Sequence, residues 1–322
     1  MAAPLAAGNT VIIKSPDQAP LSCLRLAEIL NTTFPPGVIS VLSGGAECGK
    51  ALSVHPLVKK VTLIGSVPTG RAIQQSVAGM LKPTLLELGG KNALVAFPDA
   101  DPVKVAAGIA QGMNFAWAGQ SCGSTSRVFL HKSHHDTILQ KVVEIIQRDY
   151  RPGVPTDPST TMGPVISKSA EGRVLSYIEA GKREGARLLI GGQKPDEPQE
   201  IRNGFFIEPT IFTNVKPDMT IAREEIFGPV LSVLQWEDVD DVIKQVNSSP
   251  LGLTAAIFTR DIGLAHKVAR RIDAGFIWIN QVGRHFQGVP FGGMKDSGMG
   301  REESLSEMLA FTEVKSINVG LN

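Results

Sequence analysis

The chain carries 32 Lys and Arg against 31 Asp and Glu over 322 residues, a net charge of +1. That balance leaves no electrostatic footprint for nucleic acid or for an acidic membrane surface. A hydrophobic fraction of 43% and a charged fraction of 20% describe an ordinary globular protein, long enough for two domains or one large one. Cys23, Cys48 and Cys122 are an odd number with no C-x-x-C spacing, which points away from both a disulfide framework and a zinc site. His134 and His135 are adjacent and do not share a helix face, so no metal site is expected. No apolar run is long enough to span a bilayer, and the apolar start lacks the basic region of a signal peptide. A reducing, cytoplasmic setting without membrane or nucleic-acid partners is the expectation.

Short β-branched runs at 11–14 and 38–42 predict buried strands, with a helix between them from Leu21, Leu24, Leu26, Ile29 and Leu30. Pro35-Pro36-Gly37 breaks that helix. A short helix is predicted at 50–55, a strand at 61–64 and a helix at 69–80. Alternating strands and helices predict a parallel, wound sheet of the dinucleotide-binding type. A strand at 92–97 follows, then an Ala-rich helix from 103 to about 116 and a strand at 127–130. Leu139, Val142, Val143 and Ile146 form one helical face; Val174, Leu175 and Ile178 mark another. Residues 153–158 and 161–164 are turn-rich, and 194–200 is a polar excursion. Strands at 186–190, 231–234, 255–258 and 276–279, with helices between them, predict a second α/β unit over about 90–290. A last strand at 311–319 needs a sheet edge elsewhere to pair with.

Two stretches carry chemistry. Phe115-Ala-Trp-Ala-Gly-Gln-Ser-Cys-Gly-Ser-Thr-Ser-Arg127 sets Cys122 among small residues, where a carbonyl can approach the sulfur and backbone N–H groups can face a developing oxyanion. An inert buried thiol fits the same residues. Leu85-Leu-Glu-Leu-Gly-Gly-Lys-Asn92 puts Glu87 in an apolar run, where a raised pKa suits a general base near neutrality; a solvated strand-end acid is the alternative. Two other motifs compete. Gly44-Gly-Ala-Glu-Cys-Gly-Lys50 approaches a P-loop but ends in Ala51 rather than Ser or Thr, and Glu47 puts negative charge where phosphates would sit. Gly119-Gln-Ser-Cys-Gly123 satisfies the serine-hydrolase elbow, but it follows a helical run instead of a strand.

Glu87-Leu-Gly-Gly-Lys91, Phe115-x-x-x-Gly-Gln-x-Cys122, Glu225-Ile-Phe-Gly-Pro229 and Pro290-Phe-Gly-Gly-Met-Lys-x-Ser-Gly298, in that order, resemble the aldehyde dehydrogenase superfamily over essentially the whole chain. The resemblance implies an α/β fold with an incomplete Rossmann-like cofactor domain (1–89), an α/β catalytic domain (90–290) and a carboxy-terminal segment (291–322) whose strand bridges copies in a homo-oligomer. It implies oxidation of a small-molecule aldehyde to the acid, with Cys122 as nucleophile and Glu87 as the base that hydrolyses the thioester. Lys14 and Asp17 match the pair on the adenosine ribose. Gly45 and Gly49 match backbone contacts, and Gly65 and Ser66 the turn by the pyrophosphate. Glu225 and Phe227 match the residues at the nicotinamide. An acid at the ribose implies NAD; Asp17 is shorter than the family's usual Glu, which also admits NADP.

Three further expectations follow. Trp117 stands where the family usually has Asn and reshapes the surroundings of the nucleophile. The family's oxyanion Asn and its first strands match nothing after Met1. Only ten residues precede strand 11–14, so one edge of the cofactor sheet is expected to be bare, with weak NAD binding and little activity. A catalytically silent relative that acts through its carboxy-terminal strand is the alternative function.

Overall fold

The computed structural model describes residues 1–321. A short helix α1 (Ala2–Ala6) leads into β1 (Val11–Lys14), α2 (Leu21–Asn31), β2 (Ile39–Leu42), α3 (Ala46–Val54), β3 (Val61–Ile64), α4 (Val67–Ala78) and β4 (Thr84–Glu87). The caps explain several boundaries. Ser66 accepts a hydrogen bond from the Thr69 amide and Pro68 occupies the first turn, which sets the start of α4. α3 begins at Ala46 directly after Gly45, four residues ahead of the predicted start, so Gly49 lies within the helix.

β1 pairs with β2 and β3 with β4, both in parallel. These pairs belong to two separate small sheets, which corrects the expectation of one sheet with a single bare edge. The starts of β1 and β3 are tied to the same turn instead of to each other: Asn9 Nδ2 donates to the Phe311 carbonyl at 3.0 Å and Lys60 Nζ to the Ala310 carbonyl at 2.7 Å. Ile12 and Ile64 are left exposed on their strands.

The larger part of the chain builds β5 (Ala93–Ala96), α5 (Pro102–Gly112), β6 (Arg127–His131), α6 (His135–Asp149), α7 (Lys168–Arg183), β7 (Arg187–Ile190), β8 (Thr210–Thr213), α8 (Thr220–Arg223), β9 (Val230–Trp236), α9 (Val239–Asn247), β10 (Leu251–Gly252), β11 (Thr254–Phe258), α10 (Ile262–Ala269) and β12 (Phe276–Ile279). Seven of these strands form one sheet in the order β12-β11-β5-β6-β9-β8-β7, parallel except for β7 against β8. Its central strands are apolar throughout because helices cover both faces: Ala93 and Val95 of β5 join one core, Leu94 and Ala96 the other. β8 has no sequence expectation behind it; Thr210 and Thr213 disguise a fully buried four-residue strand.

The chain closes with β13 (Met294–Lys295), β14 (Gly298–Met299) and α11 (Leu305–Leu309). β13 pairs with β10, and β14 pairs antiparallel with β4, so the carboxy-terminal segment is stitched into both parts of the molecule. No strand forms over 311–319: Val314, Ile317 and Val319 are exposed, as a strand without an edge in its own chain must be. The polar excursion at 194–200 runs into a 3-10 turn, Gln199–Ile201, anchored by buried Ile201.

Candidate active site

Cys122 lies on the loop between α5 and β6. The helix predicted to reach residue 116 ends at Gly112. Asn114 then takes a left-handed conformation (φ 55°), a 3-10 turn spans Phe115–Trp117, and Ala118 is left-handed again (φ 52°). Two such non-glycine residues are costly and persist where surrounding contacts over-determine them. Phe115 is buried against Tyr150, and Gly119 (φ 67°) closes the turn, where a Cβ would stand 2.1 Å from the Gly228 carbonyl oxygen. That close approach lays the Glu225–Pro229 loop on the Cys122 loop.

The second segment holds the first. Asn92 Nδ2 donates to the Cys122 carbonyl at 2.7 Å and to the Ser124 carbonyl at 2.9 Å, while its Oδ1 accepts from the Thr254 amide at 3.0 Å. Gly90 is needed for the approach, because a Cβ there would lie 2.7 Å from the Cys122 carbonyl oxygen. Cys122 itself is half-buried, and burial, then Glu225, then Glu87 raise its thiol above the ordinary range.

Glu87 is the last residue of β4, 3% exposed, and neither carboxyl oxygen has a hydrogen-bond partner among the described residues. Burial, reinforced by Glu302, raises it to about 8. Gly292 packs against it: a Cβ there would lie 2.7 Å from Glu87 Oε1. Sequence reasoning placed this acid in apolar surroundings, and the fold does the same.

Glu225 is half-buried and accepts from the Gly90 amide at 3.0 Å, so it joins the Glu87–Asn92 segment. A Cβ at Gly89 would be 2.0 Å from Glu225 Oε2. Phe227 is 37% exposed at φ 52°, an outward-facing ring on a strained backbone.

The remaining candidates stand at the carboxyl ends of parallel strands, where α/β folds bind ligands. Lys14 ends β1, and its Nζ donates to Asp17 Oδ1 at 3.0 Å, the Gly44 carbonyl at 2.8 Å and the Ser15 carbonyl at 2.9 Å. Gly45 caps α3; a Cβ there would meet Asp17 Oδ2 at 3.4 Å, and one at Gly49 would meet Lys14 Cδ at 3.5 Å. Gly65 follows β3 and donates to the Glu87 carbonyl at 3.0 Å, which joins this group to the catalytic candidates. Ser66 uses its hydroxyl to cap α4.

Several residues had no sequence signal of their own. Asn92 and Ser297 lie in the quoted stretches, but no role is assigned to either there. Ser297 is fully buried, donating to the Gly89 carbonyl at 2.7 Å and accepting from the Gly252 amide at 2.9 Å, so it clamps the Gly89-Gly90 turn from a distant segment. Lys91 is 1% exposed with no partner on Nζ, and burial, then Arg127, lower it to about 7. Its place between Gly-Gly and an apolar strand is the one local hint that it points inward.

The chain is similar to known aldehyde dehydrogenases in sequence and in fold. An aldehyde dehydrogenase of Talaromyces stipitatus, tropH, is 58% identical over 100% of this chain, which spans 63% of it. A betaine aldehyde dehydrogenase of Brucella anthropi is 45% identical over 98% of the chain and is spanned to 64%. A Bacillus cereus aldehyde dehydrogenase solved as its NAD+ complex superposes with a TM-score of 0.95 at 40% identity, over 100% of this chain and 65% of that one. The chain thus spans a little under two thirds of the length of these relatives. With the aldehyde dehydrogenase family pattern matching residues 1–317 as well, the chain belongs to the aldehyde dehydrogenase family.

Proposed function

We propose that the chain carries the catalytic core of an enzyme that oxidises an aldehyde to the free acid with NAD+. The observation that carries this reading is that the Glu87–Asn92 segment packs on the Cys122 loop through Gly90 and Asn92, with Glu87 buried, without a partner among the described residues, and near enough for its charge to raise the Cys122 thiol. Among the described residues neither oxygen of this carboxyl has a partner; raised to about 8, it holds its proton at neutrality, and the ionised fraction that grows as pH approaches 8 is the base that takes a proton from water. The raised Cys122 thiol is protonated at rest; transfer of its proton accompanies attack on the aldehyde carbon and leaves a covalent thiohemiacetal.

A dinucleotide fits the residues present. Lys14 and Asp17 offer a cation and an acid for ribose hydroxyls at the end of β1. The α4 N-terminus behind Gly65 and Ser66 favours a phosphate. Glu47 in the first turn of α3 disfavours one at Gly45. Glu225 and Phe227 stand on the Cys122 side, as a nicotinamide requires. When bound, the cofactor supplies the hydride acceptor. The chain's own residues then complete turnover: Glu87 draws a proton from a water that attacks the Cys122 thioester, and the acid leaves as the thiol is restored. A buried acid at Glu87 favours water over a bulky thiol acceptor.

The 311–319 stretch is proposed to pair with a second copy, and the division into 1–89, 90–290 and 291–322 is proposed as the domain plan. Among the described residues no helix is long and apolar enough to cross a membrane, and the reaction is assigned to the cytoplasm. The test is mass spectrometry of Glu87→Gln after mixing with aldehyde and NAD+. An acyl adduct on Cys122 that persists in the variant and decays in the parent is expected. A variant that neither accumulates the adduct nor slows its loss would remove Glu87 from the mechanism.

A further inference from the structure

Glu87 has no hydrogen-bond partner among the described residues, but charged groups stand close to it. It ends β4, and β14 pairs with β4 so that Gly298 lies opposite Glu87. The chain leaving β14 turns back over the carboxyl as Gly300-Arg301-Glu302, and Gly292 marks the meeting point. A Cβ there would stand 2.7 Å from Glu87 Oε1, 2.7 Å from the Gly300 carbonyl oxygen and 2.8 Å from Arg301 Cδ. The carboxyl and the arginine arm therefore face each other across one glycine. That arm is fixed. Arg301 Nη1 donates to the Gly300 carbonyl at 2.7 Å and to the Gly293 carbonyl at 3.0 Å. Its neighbour Glu302 pairs with Phe291 in both directions, its amide donating at 2.7 Å and its carbonyl accepting at 3.0 Å.

The charges around Glu87 come from few elements. Burial, then Glu302, disfavour its ionised form; Arg301 acts against them, and Glu303 adds a smaller contribution on the side of Glu302. Glu303 is turned to His285, whose Nδ1 lies 2.8 Å from Glu303 Oε1, and its amide donates to Glu307 at 2.8 Å. Cys122, on the loop between α5 and β6, feels Glu87 in turn. β3 and the Phe291–Gly293 turn bring no charged side chain. Resting on the reading of Glu87 as the hydrolytic base, we propose that Arg301 is a positioning residue for the reaction: its guanidinium, pinned beside Gly292, is the counter-charge that lets Glu87 release its proton while buried beside acids. A nearby opposite charge favours a carboxylate, and the half-buried place of Arg301 leaves part of that effect unscreened. Arg301 makes and breaks no bond; it acts through Glu87. A purely structural Arg301 would hold the two glycine carbonyls and leave the titration of Glu87 where it is.

The test uses the whole chain and reads Glu87 directly. The infrared band of its protonated carboxyl, identified as the one lost in Glu87→Gln, is titrated between about pH 5 and about pH 10 in the parent, in Arg301→Gln and in Arg301→Lys. The parent midpoint is expected at about 8. Arg301→Gln keeps a side-chain donor for the two carbonyls and loses the charge, so its midpoint should rise by about one pH unit. Arg301→Lys keeps the charge and should stay near the parent. Decay of the Cys122 acyl adduct near neutrality should be about tenfold slower in Arg301→Gln and close to the parent in Arg301→Lys. An unmoved midpoint in Arg301→Gln overturns the inference whatever the adduct does, and so does a lysine variant that shifts as far as the glutamine one. Decay slowed equally at every pH, with the midpoint unmoved, is the mark of a structural arginine and overturns it as well. A midpoint that moves as expected while adduct decay is indifferent to Glu87→Gln supports the Arg301–Glu87 relationship and sinks the hydrolytic reading instead.

Discussion

The side-chain amide of Asn92 donates 2.7 Å to the main-chain carbonyl of Cys122, and the same side chain accepts from Thr254 across the sheet. One side-chain amide therefore fixes the backbone at Cys122 to β5 and β11 at once. Asn92→Ala deletes three hydrogen bonds and leaves the Cys122 carbonyl and the Thr254 amide without these partners, while the Ser124 carbonyl still accepts from the Ser126 amide at 2.9 Å. A loss of roughly 2–4 kcal/mol of stability is expected in denaturant titration. Faster amide exchange over 119–124 should accompany it. An unchanged midpoint and unchanged exchange would mean that the loop is held by Gly119 and Gly90 alone.

The raised carboxyl of Glu87 makes stability depend on pH with a definite sign. Between about 4.5 and about 8 the folded chain keeps a proton that the unfolded chain releases, so folding is progressively weakened as pH rises through this window. Glu87→Gln removes the linkage. The variant and parent should be equally stable near pH 4.5, with the variant ahead by roughly 2–4 kcal/mol at pH 8. Thermal melts of both across pH 4.5–9 measure it; parallel curves would place the ionised Glu87 in a solvated environment.

Burial raises the Cys122 thiol most, followed by Glu225 and then Glu87. Glu225→Gln should speed iodoacetamide labelling of Cys122 at pH 8 by about threefold, and Glu87→Gln by less. The Gln carbonyl can still accept from Gly90, so the loop contact survives. Peptide mass spectrometry after brief alkylation reads the rates, with Cys23 and Cys48 as internal references. The reverse ranking would mean that Glu225 faces away from the sulfur.

Gly119 combines a left-handed backbone with a site where a Cβ would stand 2.1 Å from the Gly228 carbonyl oxygen. Gly119→Ala should therefore separate the Cys122 and Glu225 loops at a cost of roughly 2–4 kcal/mol. Circular dichroism melts test this, with Gly163→Ala, where a Cβ meets nothing within 4 Å, as the control. Similar melts for the two variants would show that the loops can yield.

Asp17 pairs with Lys14 at 3.0 Å, and in the proposed cofactor site its negative charge would oppose a phosphate on the adenosine ribose. Asp17→Ser should raise the affinity for NADP relative to NAD by about tenfold, read by calorimetric titration with each. No change in the ratio would remove Asp17 from the cofactor site.

Much of this protein is legible in its sequence because the signals are local. β-branched runs ended by Gly or Pro predicted β1, β2, β3 and the central strands of the large sheet. An acid inside Leu-Leu-Glu-Leu implied a desolvated carboxyl, and Glu87 is one. Where a cap or a steric limit intervened, the reading slipped: Gly45 starts α3 early, and left-handed Asn114 ends the Cys122 helix at Gly112 instead of 116.

What the tertiary structure alone decided are the relationships between distant segments. Ser297 clamping Gly89, Glu225 on the Gly90 amide and Asn92 across to Thr254 join residues 208, 135 and 162 positions apart. No local periodicity encodes these, since each is set by which backbone groups remain unpaired once the strands have docked. The same logic governs the small sheets. The character of β1 and β3 specifies strands, but whether two strands share a ladder depends on what reaches their edges in the folded chain. Here both are tied to the turn at Ala310 and Phe311 and not to each other. The 311–319 stretch shows the converse: it has the composition of a strand, and among the described residues no strand edge pairs with it.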